Sequence, residues 1–485
     1  MHPDWIVEHL RVRIDRKSAE TLSRQLYRLL REAIRSAQLR SGTALPATRQ
    51  LASALALGRN TVLAAYDQLL AEGYLDSKQG SGTFVSSIFE HHRAQQTPPR
   101  AHASLSRRGE ALAAVSKLPV GLHGAFAPGM PEIRQFPHEL WQRLQQQHAR
   151  SSPPDWWHYQ QEGGLRQLRE AIADYAQLSR SVRCGADQVL VLQGAQQAME
   201  LTARLLADQG DTAWMEDPGY SGAQAAFMAA GMDITPVSVD EQGLNPQTAP
   251  AGSQPRLIYI TPSHQYPSGV VMTLERRLQL LQLAEEKDCW IMEDDYDSEF
   301  RYDTQPLASL QGLASSERVI YLGTFSKVMY PALRLAYLIV PEALVDSFRS
   351  AYARLYREGG YALQSALAAF MEQGHFARHI RRMRELYRIR QQLLRHTLRQ
   401  QLGDSLPLSS GEAGMHLVAK LPAHIDDDSL SRHAAEHGLW LRPLSRHYLG
   451  DHSQPGLVLG YAGVDDADIP ESSRKLARLL ERHQP

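Results

Sequence analysis

Six short apolar runs between residues 189 and 340, separated by helical segments, are the feature that most constrains the fold of this chain. Short apolar runs bounded by Gly or Pro are typical of strands buried on both faces of a sheet. Their alternation with helices indicates parallel strands, so we predict an α/β domain with a largely parallel sheet. The runs are VLVLQ (189–193), TAWMED (212–217), LIYITP (257–262), WIMED (290–294), VIYLGT (319–324) and AYLIV (336–340).

Downstream of these runs we predict one long helix over 376–402, followed by a smaller C-terminal α+β subdomain. The helix holds eight arginines against one glutamate within FARHIRRMRELYRIRQQLLRHTLRQ. We interpret these arginines as a solvated face with interdomain ion pairs. The alternative is a surface that contacts DNA, and reversing the charges of Arg381 and Arg384 would test it through the salt dependence of operator binding. The strands of the subdomain are predicted from MHLVAK, LWLRPL and LVLGYA.

The first 86 residues have a different pattern, with three helices over about 20–37, 48–55 and 60–71 and then two β-prone pieces around the glycine-rich QGSG. This order is typical of a winged helix-turn-helix, whose recognition helix enters the major groove with its N-terminal residues. The alternative is a packing module whose arginines are only solvated. The predicted DNA-binding residues are Arg49, Arg59, Asn60, Thr61, Lys78, Gly82 and Thr83.

Charge is distributed unevenly along the chain. The net charge is −1, yet residues 1–86 carry 12 Lys and Arg against 8 Asp and Glu, so only this front end is expected to contact polyanions. Residues 91–109 contain no acid and two adjacent prolines, which is typical of a basic, semi-extended linker. We therefore predict a DNA-binding domain over 1–87, a linker over 88–120 and a second domain over 121–485.

Two cysteines without disulfide or metal spacing favour a reducing compartment, and no signal peptide or membrane-spanning run is apparent. We predict a cytoplasmic protein without a metal site.

The predicted strand ends of the α/β domain offer the groups that pyridoxal phosphate needs. These are an amine for a Schiff base, a carboxylate for the pyridine nitrogen, an aromatic ring to stack on the cofactor, and phosphate donors at a helix N-terminus. Lys327, Asp294 and Tyr220 supply the first three. Each element alone also occurs in ordinary turns, and Lys327 alone could be a snorkelling lysine; their joint occurrence carries the prediction. The predicted phosphate ligands are Ala195, Gln196, Thr324, Ser326 and Arg334.

Two resemblances add to this interpretation. The stretch LPATRQLASALALGRNTVLAAYDQLLAEGYLDSKQGSGTFV resembles the GntR-type winged helix nearly position by position, with Gly58 and Ala47 where that family has Ser. Residues 121–485 resemble the class I, fold-type I aminotransferases. That resemblance assigns Lys327 to the Schiff base, places Tyr296 near the ring hydroxyl, and implies a homodimer in which Tyr159 reaches the neighbouring subunit's phosphate.

Two departures from the aminotransferase pattern affect the expected activity. The segment TPSHQYPSG (261–269) lacks the asparagine that holds the ring hydroxyl, and His264, Gln265 and Tyr266 are all candidates to replace it. The strand GLVLGYAG lacks the arginine that binds a substrate carboxylate. Without that clamp, we expect little or no transaminase turnover.

A GntR-type winged helix joined to an aminotransferase-like domain resembles the MocR/GabR-type transcriptional regulators over essentially the whole chain. The resemblance implies a regulator that binds operator DNA and senses pyridoxal phosphate itself, or an amine or amino acid, through the bound cofactor. Because Ser221 and Gly222 follow PGY where GABA-binding members have an arginine, GABA is not the expected effector. The alternatives are an active aminotransferase with an appended DNA-binding module, and a scaffold that no longer binds cofactor.

Overall fold

The computed structural model describes residues 3–78, 81–87, 104–115, 124–302, 307–450 and 452–482. The chain divides into two compact units, Met1–Ser104 and Leu105–Pro485.

The first unit is the predicted winged helix-turn-helix. Its amphipathic second helix buries Leu26, Leu29 and Leu30, and the three strands form an antiparallel sheet in the order β1–β3–β2. An additional N-terminal helix, not predicted from the sequence, buries Ile6 and Leu10 against this core. The elements are α1 (Pro3–Arg13), α2 (Leu22–Arg35), β1 (Ala44–Leu45), α3 (Thr48–Leu55), α4 (Arg59–Ala71), β2 (Leu75–Lys78) and β3 (Gly82–Val85).

An eight-stranded sheet organises the second unit, in the order β4–β11–β10–β9–β8–β5–β6–β7. Strands β10, β9, β8, β5 and β6 are parallel, and β4 shares their direction because both β4 and β10 pair with β11 in antiparallel fashion. All six predicted runs are strands of this sheet. The strands are β4 (Val189–Leu192), β5 (Thr212–Asp217), β6 (Asp233–Asp240), β7 (Gly243–Leu244), β8 (Pro255–Ile260), β9 (Trp290–Asp295), β10 (Val319–Thr324) and β11 (Ala336–Ile339).

Helices pack around this sheet, and their apolar side chains bury it; every residue of β10, for example, is buried. The helices of this unit are α5 (Arg107–Val115), α6 (His138–Arg150), α7 (Arg166–Arg180), α8 (Ala195–Leu206), α9 (Ser221–Ala230), α10 (Leu274–Glu286), α11 (Leu310–Leu313), α12 (Val345–Leu355), α13 (Tyr361–Glu372), α14 (His375–Leu402), α15 (Asp427–Glu436) and α16 (Asp468–Glu481).

The predicted C-terminal α+β subdomain is confirmed. It contains the antiparallel sheet β12–β14–β13 together with α15 and α16, and α14 is the predicted long helix. Its strands are β12 (His416–Lys420), β13 (Arg442–Pro443) and β14 (Gly456–Gly460).

Part of the predicted extended linker is helical. Helix α5 begins at Arg107, and Arg108 donates a hydrogen bond to the Ala229 carbonyl at 3.4 Å, so this segment packs on α9. The prediction missed it because the arginines at its start give a linker-like composition, whereas the apolar residues that help to seat the helix follow them. Residues 88–103 and 116–120 of the predicted linker lie outside the described residues. Within the described ranges, no helix is both long and apolar enough to span a bilayer.

Candidate functional site

The predicted cofactor residues meet at one edge of the large sheet. Because β4, β5, β9 and β10 run in the same direction, their carboxyl ends lie at the same edge. Asp294 is the penultimate residue of β9 and lies beside Leu322 of β10, and Lys327 follows three residues after β10 ends. Tyr220 follows β5, and α8 begins directly after β4. This is the edge at which open α/β sheets bind their ligands.

Lys327 is partly buried and densely surrounded by protein. Its Nζ donates a hydrogen bond to the Gly129 carbonyl at 3.0 Å. Burial lowers the pKa of the amine, and Arg442 lowers it further, against the opposing effect of Asp297 and Asp294. A lowered pKa makes the neutral, nucleophilic amine more accessible, which is what a Schiff-base lysine requires.

Asp294 has one oxygen that is satisfied and one that is not. Its Oδ2 accepts a hydrogen bond from the Tyr259 hydroxyl at 2.6 Å, whereas no group among the described residues donates to its buried Oδ1. Burial raises the pKa of this carboxyl to about 7, despite the Tyr259 bond. An unpaired buried carboxylate oxygen is costly, so this atom needs a donor. The N–H of a protonated pyridine ring is such a donor, and the site therefore fits pyridoxal phosphate.

Glu216 on β5 anchors the segment 261–269 to the sheet. Its carboxylate accepts hydrogen bonds from the Thr261 hydroxyl at 2.6 Å and from Gln265 Nε2 at 3.1 Å. Gln265 Nε2 also donates to the Pro218 carbonyl at 2.8 Å. The amide of Gln265 is thus engaged in holding the loop, which removes it from the three candidates for the missing asparagine.

The other two candidates both contact Tyr296. His264 Nδ1 lies 3.0 Å from the Tyr296 hydroxyl and 3.0 Å from Asp297 Oδ2. The ring of Tyr266 packs edge-on against Tyr296, with centroids 6.0 Å apart, and against Tyr220 at 5.8 Å. Tyr296 is therefore supported from two sides, and its place near the ring hydroxyl of a cofactor stays a prediction.

His264, Asp297 and His416 offer ligand atoms within 4.8 Å of one another, a spacing that could hold a metal ion and that the sequence did not indicate. His416 Nε2 contacts the Pro267 carbonyl at 2.8 Å, and burial lowers its pKa to about 3. Since His264 Nδ1 is also engaged, we interpret this group as a hydrogen-bond network.

The predicted phosphate site lies at the N-terminus of α8. Gly194, with φ of 98°, precedes the helix, and a Cβ there would lie 3.1 Å from the guanidinium carbon of Arg334. Arg334 also donates to the Gln193 carbonyl at 3.0 Å. The first backbone N–H groups of a helix have no partner within it, so those of Ala195 and Gln196 can bind an anion beside this arginine. Thr324 supports the loop before Lys327, because its hydroxyl accepts from the Ser326 N–H at 3.2 Å.

Arg442 is a residue of this site that the sequence analysis missed. The strand GLVLGYAG indeed lacks an arginine, but Arg442 on β13 lies directly opposite Val458 of that strand. Burial raises the pKa of Tyr266, and the Arg442 charge opposes this effect; the same charge adds to burial in lowering the pKa of Lys327. The observation about that strand stands, and Arg442 adds a cation near the Lys327 amine from the neighbouring strand β13. An arginine within the apolar run LWLRPL was the available signal.

Tyr159 is not brought to the site by this chain alone. Its side chain is 79% exposed, with the guanidinium of Arg357 5.2 Å above the ring, and nearby Trp157 is equally exposed. Its contact with a partner subunit's phosphate stays a prediction.

The predicted DNA contacts lie on one helix start, its supporting helix and the hairpin. Arg59 and Asn60 are exposed in the first turn of α4, which begins after Gly58, and Arg49 is exposed on α3. Lys78 lies at the end of β2, with its Nζ 5.8 Å from the Phe84 ring centroid. Thr61 completes the first turn of α4, and Gly82 and Thr83 open β3. Their role in binding DNA stays a prediction.

Several arginines of α14 are used within the fold. Arg390 is buried, 2.9 Å from Glu132 and 2.7 Å from Asp466. Arg384 donates to the Glu299 carbonyl at 2.8 Å. These contacts favour the ion-pair interpretation over a DNA surface.

Known proteins resemble the chain along nearly its whole length. Residues 132–476 match the model of aminotransferase class I and II, and residues 22–85 match that of bacterial regulatory proteins of the gntR family. The probable rhizopine catabolism regulatory protein MocR of Rhizobium meliloti is 43% identical, over 96% of this chain and 94% of its own. The pyridoxine biosynthesis transcriptional regulator PdxR of Corynebacterium glutamicum is 32% identical, over 92% of each chain.

Among solved structures, LysN, an α-aminoadipate aminotransferase of Thermus thermophilus, superposes with a TM-score of 0.68 at 28% identity. It covers 77% of this chain and 97% of its own.

Proposed function

Because the chain belongs to the MocR-type family of GntR transcriptional regulators with an aminotransferase-like domain, we propose that it senses a small molecule through pyridoxal phosphate held at Lys327 and reports this to operator DNA. The observation that carries the proposal is the unpaired Oδ1 of Asp294 beside a lysine of lowered pKa. Both features are costly in a scaffold without a ligand and useful in a cofactor site.

The chain's own residues would hold the cofactor from four sides. Lys327 provides the amine for covalent attachment, Asp294 accepts from the pyridine nitrogen, and Tyr220 covers the ring. Arg334, Ser326 and the first N–H groups of α8 bind the phosphate. When bound, pyridoxal phosphate supplies an electrophilic carbon that reacts with amines.

The effector class follows from Arg442. A guanidinium near the Lys327 amine favours a ligand that carries an acidic group as well as an amine. An amino acid has both, so we propose an amino-acid-type amine as the effector rather than a simple cationic amine. Pyridoxal phosphate itself is the competing effector, because the PdxR relative is named as a regulator of pyridoxine biosynthesis.

Lys327 would act as the switch. Lys327 would hold the cofactor covalently in one state, and when unbound it can donate to the Gly129 carbonyl as it does in this structure. The two positions of one amine provide a two-state element that a ligand can bias. We further propose a homodimer that acts in the cytoplasm on operator DNA, which the exposed Trp157 and Tyr159 and the exposed first turn of α4 support.

Arg442 also favours a second function, transaminase turnover, because it offers the carboxylate anchor that the sequence appeared to lack. Adding single amino acids to the loaded chain separates the two readings. Repeated release of a keto acid supports turnover, and a changed spectrum with one equivalent or none supports sensing.

The central test is loading with pyridoxal phosphate. We expect a visible absorbance band that survives gel filtration, and a borohydride-fixed adduct at Lys327. Lys327→Ala should lose both, while Lys287→Ala, which removes a lysine that donates to Ser253 and Gln254 at the opposite edge of the sheet, should keep them. Operator duplexes selected from a random pool then measure DNA binding. If Lys327→Ala keeps the wild-type response to amino acids, the proposed switch is wrong.

A further inference from the structure

Two loops at the carboxyl edge of the sheet bring together a histidine, a carboxylate and a phenol. His264 lies in the loop after β8, and Tyr296 and Asp297 follow β9 directly. His264 and Asp297 are almost fully buried, with side chains 2% and 1% exposed. His264 Nδ1 is 3.0 Å from both Asp297 Oδ2 and the Tyr296 hydroxyl.

From this geometry we propose that Asp297 fixes His264 as the Nδ1–H tautomer, and that His264 thereby turns the Tyr296 hydroxyl proton toward the ring oxygen of the cofactor. His264 and Asp297 are positioning residues that act through Tyr296. The proposal rests on the proposed binding of pyridoxal phosphate.

The tautomer follows from what each atom can donate. An ionised carboxylate only accepts hydrogen bonds, so an unprotonated Nδ1 at 3.0 Å from Asp297 Oδ2 would set two lone pairs against each other. Nδ1 therefore carries the proton and shares it between Asp297 and the Tyr296 oxygen. A protonated Nδ1 cannot accept from Tyr296, so the Tyr296 proton must be given to another acceptor.

Packing prevents His264 from escaping this arrangement. A Cβ at Gly414 would lie 1.9 Å from His264 Cε1, and one at Gly269 would lie 3.2 Å from Nε2, so backbone covers the ring where only glycine fits. The His416 ring lies 5.0 Å away, centroid to centroid. The imidazole thus has one position, and its hydrogen bonds are set before any ligand arrives.

Tyr296 remains a donor at all relevant pH values. Burial and then the Asp297 charge raise its pKa well above the usual value. The charged and titratable groups around it and its neighbours include Asp294, Asp297, Glu216, Lys327, His416, Arg442 and Tyr266. A phenol whose proton is directed by a histidine and a carboxylate would thus take over the task of the asparagine that class I aminotransferases use.

The test is a spectroscopic pH titration of the loaded chain. A hydrogen bond donated to the ring oxygen favours its ionised form, which lowers the pH at which the bound chromophore gains its proton. Tyr296→Phe should raise this midpoint by about one to two pH units, as expected for the loss of one hydrogen bond to a charged group. Asp297→Asn and His264→Gln should raise it in the same direction, and Asp297→Asn should add nothing in the Tyr296→Phe background. Asp240→Asn removes a carboxylate that ends β6, three strands away from β9 in the sheet, and should leave the midpoint unchanged.

A second measurement does not depend on variants that fold well. Nitrogen-15 NMR of histidine-labelled wild-type chain, with His264 assigned by its loss in His264→Gln, reads the tautomer directly, with or without cofactor. We expect a protonated Nδ1 and a free Nε2. The opposite tautomer, or variant midpoints equal to wild type, overturns the inference. A wild-type chain that forms no visible band at all instead refutes the proposed function, while the NMR result still decides the tautomer.

Discussion

Asp294→Asn should have opposite effects on the stability of the cofactor-free chain and on its affinity for pyridoxal phosphate. The carboxyl has an ordinary pKa of 3.8, and burial raises it to about 7. A carboxyl whose pKa is raised by folding stabilises the protein less as the pH increases, because the unfolded chain releases the proton first. The loss extends from about pH 4 to about pH 7 and then levels off.

The size of this effect can be worked out from the same interval. Each pKa unit corresponds to about 1.4 kcal/mol of unfolding free energy, so about 3 kcal/mol is lost between pH 5 and pH 7. The asparagine does not titrate. Its amide replaces the unpaired Oδ1 with an unpaired N–H, at a pH-independent cost of about 1–3 kcal/mol. The free energy of unfolding of Asp294→Asn, relative to wild type, should therefore increase by about 3 kcal/mol from pH 5 to pH 8.

Two other buried acids, Glu216 and Glu299, also have pKa values raised to about 7 by burial. Both add to the pH dependence of the unfolding free energy in wild type and in the variant. Because they are present in both chains, they cancel in the difference. Urea unfolding followed by tryptophan fluorescence is a suitable assay, since six of the seven tryptophans belong to the second unit.

A matched control is Asp240→Asn. Burial acts to raise the pKa of Asp240, but the hydrogen bonds from Arg276 and the Gln242 N–H together with the Arg276 charge outweigh it and lower the pKa. Both chosen pH values lie above that pKa, so this variant should be less stable than wild type by the same amount at each. Meanwhile Asp294→Asn should bind pyridoxal phosphate about 10- to 100-fold more weakly, as expected for the loss of a charged hydrogen bond. A stability difference for Asp294→Asn that is equal at pH 5 and pH 8 would refute the reasoning.

Three further predictions follow from the sites described above. Gly222→Ala should weaken cofactor binding at least several-fold, because its Cβ would lie 2.4 Å from Gln196 Nε2 and from the Tyr220 ring. Gly185→Ala, with open space around the new Cβ, should leave cofactor binding unchanged. Equal affinities of the two variants in an equilibrium titration would contradict this prediction. Arg442→Gln should abolish the spectral response to amines that also carry an acidic group, while the visible absorbance band of the bound cofactor is retained. An unchanged response shows that Arg442 does not anchor the effector. Arg59→Ala should weaken binding to selected operator duplexes by about 1–3 kcal/mol and relax their sequence preference, measured by fluorescence anisotropy at fixed salt; unchanged affinity would place the recognition helix elsewhere.

The sequence predicted the sheet well because its central strands are buried on both faces. Such strands must be apolar throughout, and all six predicted runs are strands. Strands β6 and β7, at one end of the sheet, were missed, since β6 is only partly buried and carries a mixed pattern and β7 has only two residues. Helix α1 was missed as well, because Trp5, Ile6 and Leu10 can be recognised as a buried face only when the core against which they pack is known.

The site was predicted to the extent that it follows strand ends. Lys327, Asp294 and Tyr220 directly follow or end buried strands, so their convergence is a property of parallel topology. Arg442 reaches the pocket from a strand that pairs with the one inspected, and sequence spacing does not record cross-strand neighbours. The choice among the three candidates for the missing asparagine likewise depended on the Glu216 hydrogen bonds, which join residues 49 positions apart.

The hydrogen bond from Lys327 to the Gly129 carbonyl gives the cofactor-free chain a resting state of its own. A Cβ at position 129 would lie 2.8 Å from Nζ, so glycine keeps this place open to the amine. Without cofactor the lysine is therefore satisfied rather than stranded, and the segment that contains Gly129 follows the stretch of chain that joins the two units. Under the proposed function, such a chain can persist without pyridoxal phosphate, and the cell's supply of that compound becomes a quantity to which the same amine can respond.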